Sequence, residues 1–348
     1  MASSETATAS GARPVRLVRR RPGAPAPGPA STNGRTMSRY DHGEYVSMTM
    51  EFRCNLKCVH CMIEGTMDRL VPQSFAQFKR VLELNAERRD LKGLILTGSE
   101  ITLHRDLPEW ARLAREHGFE HVRIQTHGMR LASRNYLEEL ISAGVDEFFV
   151  SVAAADAETH DAITQVPGSF AKTVGGLELI EDYENVTSIT NTVVTTRSYP
   201  QLPALVERLR PLRRLAQMEF WFYFPMTESD EKGLVASHLE ALPHLREAIG
   251  LARGAGRGVE VKNFPECLLA EDRAALCNDQ PRLFIDPAFW DEFMRNGFHQ
   301  CVYRDRCASQ KCLGLNSAYV RKFGDHADAL VPFPAAGQGG RPAAPADL

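Results

Sequence analysis

From residue 45 to residue 224 the chain alternates short β-rich runs with longer helical patterns, and few folds accommodate that rhythm. The strand candidates are 45–51, 93–97, 122–126, 147–152, 188–194 and 218–224. Between them, near 73–89, 105–118, 134–143, 169–182 and 200–213, apolar residues recur at the three-to-four spacing of an amphipathic helix. Leu107-Pro108, Gly118, Gly144 and Tyr199-Pro200 punctuate the ends. Strand–helix alternation of this kind implies right-handed βαβ units and an α/β parallel sheet, either a barrel or a doubly wound sheet. In both forms ligand sites gather at the C-terminal ends of the strands. A further helix at 235–254, a short strand at 259–262 and a helix near 287–295 follow.

The first strand candidate leads straight into Glu51-Phe-Arg-Cys54-Asn-Leu-Lys-Cys58-Val-His-Cys61, with three cysteines in eight residues. Three thiolates on one loop can hold three corners of a [4Fe-4S] cluster and leave the fourth iron open. A structural zinc site needs four ligands, which here would require His60 or His42. The other cysteines are Cys267, Cys277, Cys301, Cys307 and Cys312, and none lies between Cys61 and Cys267. In a large chain without an apolar export signal, such clustering reads as two metal sites rather than disulfides. A net charge of -3 argues against nucleic acid as a partner, and no apolar run is long enough to span a membrane. A cytoplasmic location is therefore expected, where reducing conditions suit an exposed iron. Residues 1–41, rich in Ala, Pro, Gly, Ser and Arg, are expected to be a disordered tail, and 333–348 a loose one.

Cys54-x3-Cys58-x2-Cys61 directly after a first strand resembles the radical S-adenosylmethionine (radical SAM) superfamily. The resemblance implies a partial (β/α)6 TIM-like barrel over 42–230 and a small cysteine-rich C-terminal extension over 231–332. It implies that S-adenosylmethionine chelates the open iron and is cleaved by one electron to a 5'-deoxyadenosyl radical. His60, before the third cysteine, would flank the adenine; its bland alternative is a solvated loop histidine. Gly98-Ser99-Glu100 resembles the Gly-Gly-Glu element that binds the methionyl amino group, with Ser99 departing from the second glycine and Glu100 accepting from the ammonium. Thr126, in Gln125-Thr126-His127-Gly128, and Ser151 stand where relatives use strand-end residues on the cofactor. His160-Asp161 with Gly168-Ser169-Phe170 reads as helix capping and loop packing, with Ser169 as N-cap. Trp221 and Tyr223 would wall the interior or pack beneath the later helices.

Cys301-x5-Cys307-x4-Cys312, taken with Cys267, supplies four thiolates. The group resembles the twitch and SPASM-related extensions, which implies a second, auxiliary [4Fe-4S] cluster; spacing alone leaves zinc as the alternative. Cys277 could be a packed thiol, a ligand in place of Cys267, or a hydrogen-atom donor to a substrate radical. The activity implied is hydrogen-atom abstraction leading to oxidative modification or crosslinking of a ribosomally made peptide in natural-product biosynthesis. The alternatives are oxidation or rearrangement of a small metabolite and, in another class, a non-catalytic iron–sulfur or zinc redox scaffold. The implied partners are an electron donor such as flavodoxin or ferredoxin and, because no winged-helix module is evident, a separate peptide-recognition protein.

Overall fold

The computed structural model describes residues 17–19, 42–63 and 69–334. Apart from residues 17–19 and 333–334, the two expected tails lie outside the described residues. Residues 17–19 rest against the folded body: Arg19 bridges to Tyr183 and pairs with Glu138 at 2.5 Å.

The first half runs β1 (Tyr45–Glu51), α1 (Phe75–Arg88), β2 (Gly93–Gly98), α2 (Leu107–Glu116), β3 (His121–Thr126), α3 (Arg134–Ala143) and β4 (Glu147–Ser151). It continues with α4 (Ala157–Thr164), α5 (Ser169–Ile180), β5 (Thr187–Val194), α6 (Leu202–Leu209) and β6 (Leu215–Phe222). The remainder comprises α7 (His238–Gly254), β7 (Gly258–Lys262), α8 (Glu266–Leu269), β8 (Arg282–Phe284), α9 (Ala288–Phe293) and α10 (Ser317–Phe323). All strands join one parallel sheet, ordered β7-β6-β5-β4-β3-β2-β1-β8, which curls into an open half-barrel.

The strand period decides which residues go where. Val122 and Ile124 of β3, and Phe148 and Val150 of β4, lie in the hydrophobic core that includes Phe78 and Leu82 of α1 and Trp110 of α2. The alternate residues are mostly polar, and Arg123 meets Glu147 at 3.2 Å while Tyr45 donates to the same carboxylate oxygen at 2.9 Å. Glu219 of β6 is the register partner of Glu260 of β7, and Lys262 lies 3.5 Å from the Glu260 carboxylate. Buried charge persists when it is paired and hydrogen-bonded in this way.

The structure extends the six-strand expectation at both edges, since β7 adds beyond β6 and β8 beside β1. β8 is three exposed residues, too short to show a period. α4 was also not anticipated. It abuts α5, and the carboxylate of Asp161 caps the start of α5, accepting from Gly168 N (2.5 Å) and Phe170 N (2.8 Å). The N-cap is thus Gly168 rather than Ser169, whose hydroxyl donates to Asp161 at 2.8 Å.

His238, at the start of α7, is stacked on Tyr319 with ring centroids 4.0 Å apart and also meets Phe222 and Phe264. Burial pushes its pKa down to about 3. A histidine depressed in the folded state contributes fully above its ordinary value near 6.5 and loses that contribution as pH falls toward 3. We expect about 2 kcal/mol of stability to be lost on this account between pH 7 and pH 5. Urea unfolding at the two pH values should show a smaller loss in His238→Phe; an equal loss in both proteins would refute the assignment.

Candidate functional site

The loop that follows β1 is held on two sides. Lys57 N and Val59 N donate to Thr164 O (3.0 Å) and Ile163 O (2.9 Å), using carbonyls that the end of α4 leaves free. On the other side the ring of His127 bonds Asn55 Oδ1 at 2.7 Å. Met129 N donates to the other ring nitrogen at 3.2 Å, so the proton sits on Nε2. None of Cys54, Cys58 and Cys61 is in a disulfide, and all three line one cavity of about 280 Å³. Burial pushes the Cys54 thiol up to about 11, while Leu56 N donates to its sulfur at 3.3 Å. A bound cation reverses that preference and favours the thiolate.

The same cavity is lined by His60, Gly98, Ser99, Thr126 and Ser151, so these strand-end residues and the cysteine loop come together. Gly98 is demanded by backbone: a Cβ there would sit 2.0 Å from the Glu51 carbonyl, where the β1–β2 register shifts. Ser99 stitches β2 to the loop, its N–H donating to Glu51 O (2.8 Å) and its hydroxyl to Phe52 O (2.8 Å). Trp221 is on the wall beside Phe149, with its indole donating to Glu219 at 2.7 Å, whereas Tyr223 packs in the core.

Glu100 lies behind the residues of the wall. Its side chain is fully buried and is not on the cavity wall. One carboxylate oxygen accepts from Thr102 N (3.0 Å), Thr102 Oγ1 (2.5 Å) and Thr126 Oγ1 (2.6 Å), and the other from His127 N (2.8 Å). Held by these donors, the carboxylate ties the end of β2 to the end of β3. Thr126 is likewise engaged, since its hydroxyl donates to Glu100 and accepts from Gly128 N at 3.0 Å.

Among the wall residues that sequence reasoning missed are His127, His160 and Asn191. His160 Nε2 and Asn191 Oδ1 are buried with no hydrogen-bond partner, and so is Nδ1 of His60, whose pKa burial pushes down to about 4. Buried polar atoms are satisfied as a rule, so three such atoms on one cavity wall mark a place for a polar ligand. His160-Asp161 was visible in the sequence, but the capping by Asp161 hid the other edge of His160.

A second cavity, of about 30 Å³, is lined by Cys267, Cys301, Cys307 and Cys312 with mostly apolar neighbours such as Leu315, Leu330 and Phe333. Backbone N–H groups are aimed at its sulfurs: Glu266 and Gly314 donate to Cys312 (3.4 and 3.3 Å), Tyr303 to Cys301 (3.5 Å) and Phe333 to Cys307 (3.4 Å). Gly314 has φ +68, and a Cβ there would come within 3.2 Å of Cys301. Such N–H donors are what sulfur carrying negative charge attracts. Cys277 lines neither cavity; Val261 O holds its N–H at 3.0 Å beside β7.

Residues 49–209 match the model of the radical SAM superfamily. The chain is 34% identical over 171 residues to a probable GTP 3',8-cyclase of Methanopyrus kandleri, covering 49% of this chain and 53% of that protein. It is 31% identical over 185 residues to an AdoMet-dependent heme synthase of Methanosarcina barkeri, covering 53% of this chain and 51% of that protein. The chain thus spans about half the length of these curated relatives. A solved structure of native anSMEcpe with bound AdoMet superposes with a TM-score of 0.50 at 15% identity, over 62% of this chain and 63% of that one, a likeness of fold. Among the described residues no helix is long and apolar enough to cross a membrane.

Proposed function

This chain belongs to the radical SAM superfamily, and we propose that it is an enzyme using S-adenosylmethionine to oxidise its substrate by hydrogen-atom abstraction. The observation that carries this reading is the meeting of Cys54, Cys58 and Cys61 with Gly98, Ser99, Thr126 and Ser151 on one cavity wall. When bound, a [4Fe-4S] cluster and S-adenosylmethionine supply the electron and the 5'-deoxyadenosyl radical for that abstraction. Cys54, Cys58 and Cys61 would hold the cluster. His60, neutral at physiological pH and with an open Nδ1, together with His160 Nε2 and Asn191 Oδ1, would hydrogen-bond the nucleoside. Phe149 and Trp221 would exclude water beside the reacting carbon.

Cys267, Cys301, Cys307 and Cys312 would hold an auxiliary [4Fe-4S] cluster, the backbone donors around them supporting a set of thiolate ligands. An electron sink in the same chain favours an oxidative outcome, and the substrate we assign is a ribosomally made peptide. A small metabolite is the second reading, favoured by the names of the curated relatives, a GTP cyclase and a heme synthase. Residues 42–230 would form the barrel, and 231–332 an extension that lends β7 and β8 to the same sheet. An external flavodoxin or ferredoxin would reduce the first cluster in the cytoplasm.

The test is anaerobic reconstitution, reduction and turnover with short peptides encoded beside the gene and, separately, with nucleotides and tetrapyrroles. Release of 5'-deoxyadenosine with a mass change in a peptide supports the assignment; a mass change only in a metabolite moves it to the second reading. No 5'-deoxyadenosine from fully loaded protein would sink both. Iron analysis should give about eight irons per chain in the wild type. Cys267→Ala should fall to about four and still release 5'-deoxyadenosine, whereas unchanged iron would remove the auxiliary cluster from the assignment.

A further inference from the structure

Away from both cysteine cavities, three side chains of different chemistry converge inside the half-barrel. His42 lies just ahead of β1, Glu260 is central in β7, and Cys277 follows the short bridge between Leu276 and Val261. Their ligand atoms all lie within 4.8 Å of one another, and no other group among the described residues meets this measure. The carboxylate of Glu260 is almost wholly buried, at 1% exposure, with one oxygen 3.2 Å from His42 Nε2. Its other oxygen has no hydrogen-bond partner, although Lys262 Nζ stands 3.5 Å away.

We infer that His42, Glu260 and Cys277 form a zinc site, distinct from the cysteine cavities, that ties the segment ahead of β1 to edge strand β7. Imidazole, carboxylate and thiolate form a borderline donor set that suits zinc, and three protein ligands leave a fourth position for water. The neighbouring ammonium of Lys262 is the obvious objection. It is held by the carbonyls of Cys277 (3.0 Å) and Asp279 (3.1 Å), on the side of the carboxylate oxygen that does not face His42. There it orients the ligand as an outer-shell partner does. Binding releases the Cys277 proton and any proton on His42, so it strengthens as pH rises.

The site is independent of the proposed activity, and its test reads the metal directly. Reconstituted holoenzyme is incubated with zinc sulfate, desalted through a weak chelator, and analysed for zinc and iron. We expect Cys277→Ser and His42→Ala each to retain one zinc fewer per chain than the wild type, with iron unchanged, and Cys267→Ala to lose no zinc. Zinc-edge X-ray absorption of the wild type should show one sulfur at about 2.3 Å with nitrogen and oxygen at about 2.0–2.2 Å, a result that needs no variant to fold. No retained zinc, an all-sulfur shell, or equal zinc in Cys277→Ser would overturn the site.

Discussion

Alanine at Cys54, Cys58 or Cys61 should reduce 5'-deoxyadenosine formation to background. The three thiols come from one loop and line one cavity, so the loss of any of them removes a cluster corner that no neighbouring residue replaces. Loss of an outer-shell partner alone typically costs 10- to 100-fold, so loss of a ligand should exceed about a hundredfold. Each variant should keep its zinc and, in the far cavity, about four irons. Chromatographic quantification of 5'-deoxyadenosine, normalised to iron, is the measurement. Activity within tenfold of wild type in any of the three variants would show that the cluster is held elsewhere.

Glu100 should prove essential in a different way. Its carboxylate accepts from four donors supplied by Thr102, Thr126 and His127, and it is fully buried. In Glu100→Ala those donors lose their acceptor, and in Glu100→Gln one amide N–H must face another N–H whichever way the side chain turns. Breaking a buried, charge-assisted network costs about 3–5 kcal/mol, and we expect a loss of that size in the urea unfolding of cluster-free, ligand-free protein. A residue acting only through a bound methionyl ammonium would leave that stability unchanged, so an unshifted transition would return Glu100 to the role its motif implies.

Whether a feature was legible depended on how local its cause is. The six inner strands show their period within a few residues, and the cysteine loop is contiguous, so both could be read directly. The role of Glu100 could not, because its partners Thr126 and His127 are brought to it by β-sheet register from 26 and 27 positions away. His160 and Asn191 reach the cavity wall from α4 and β5, and neither carries a local sign of doing so. Cys277 looked ambiguous for the same reason: its neighbour Glu260 bonds a histidine 218 positions distant. The division near residue 230 followed composition and motif, which are blind to a three-residue strand pairing with β1.

That pairing bears on how the protein can be handled and how it can evolve. Because β7 and β8 are contributed by the later part of the chain, a fragment ending near residue 230 would bare the flanks of both β6 and β1. Exposed strand flanks recruit other chains. The cysteine-rich portion is thus woven into the scaffold, and exchange with a foreign extension would require the incoming sequence to bring its own two strands.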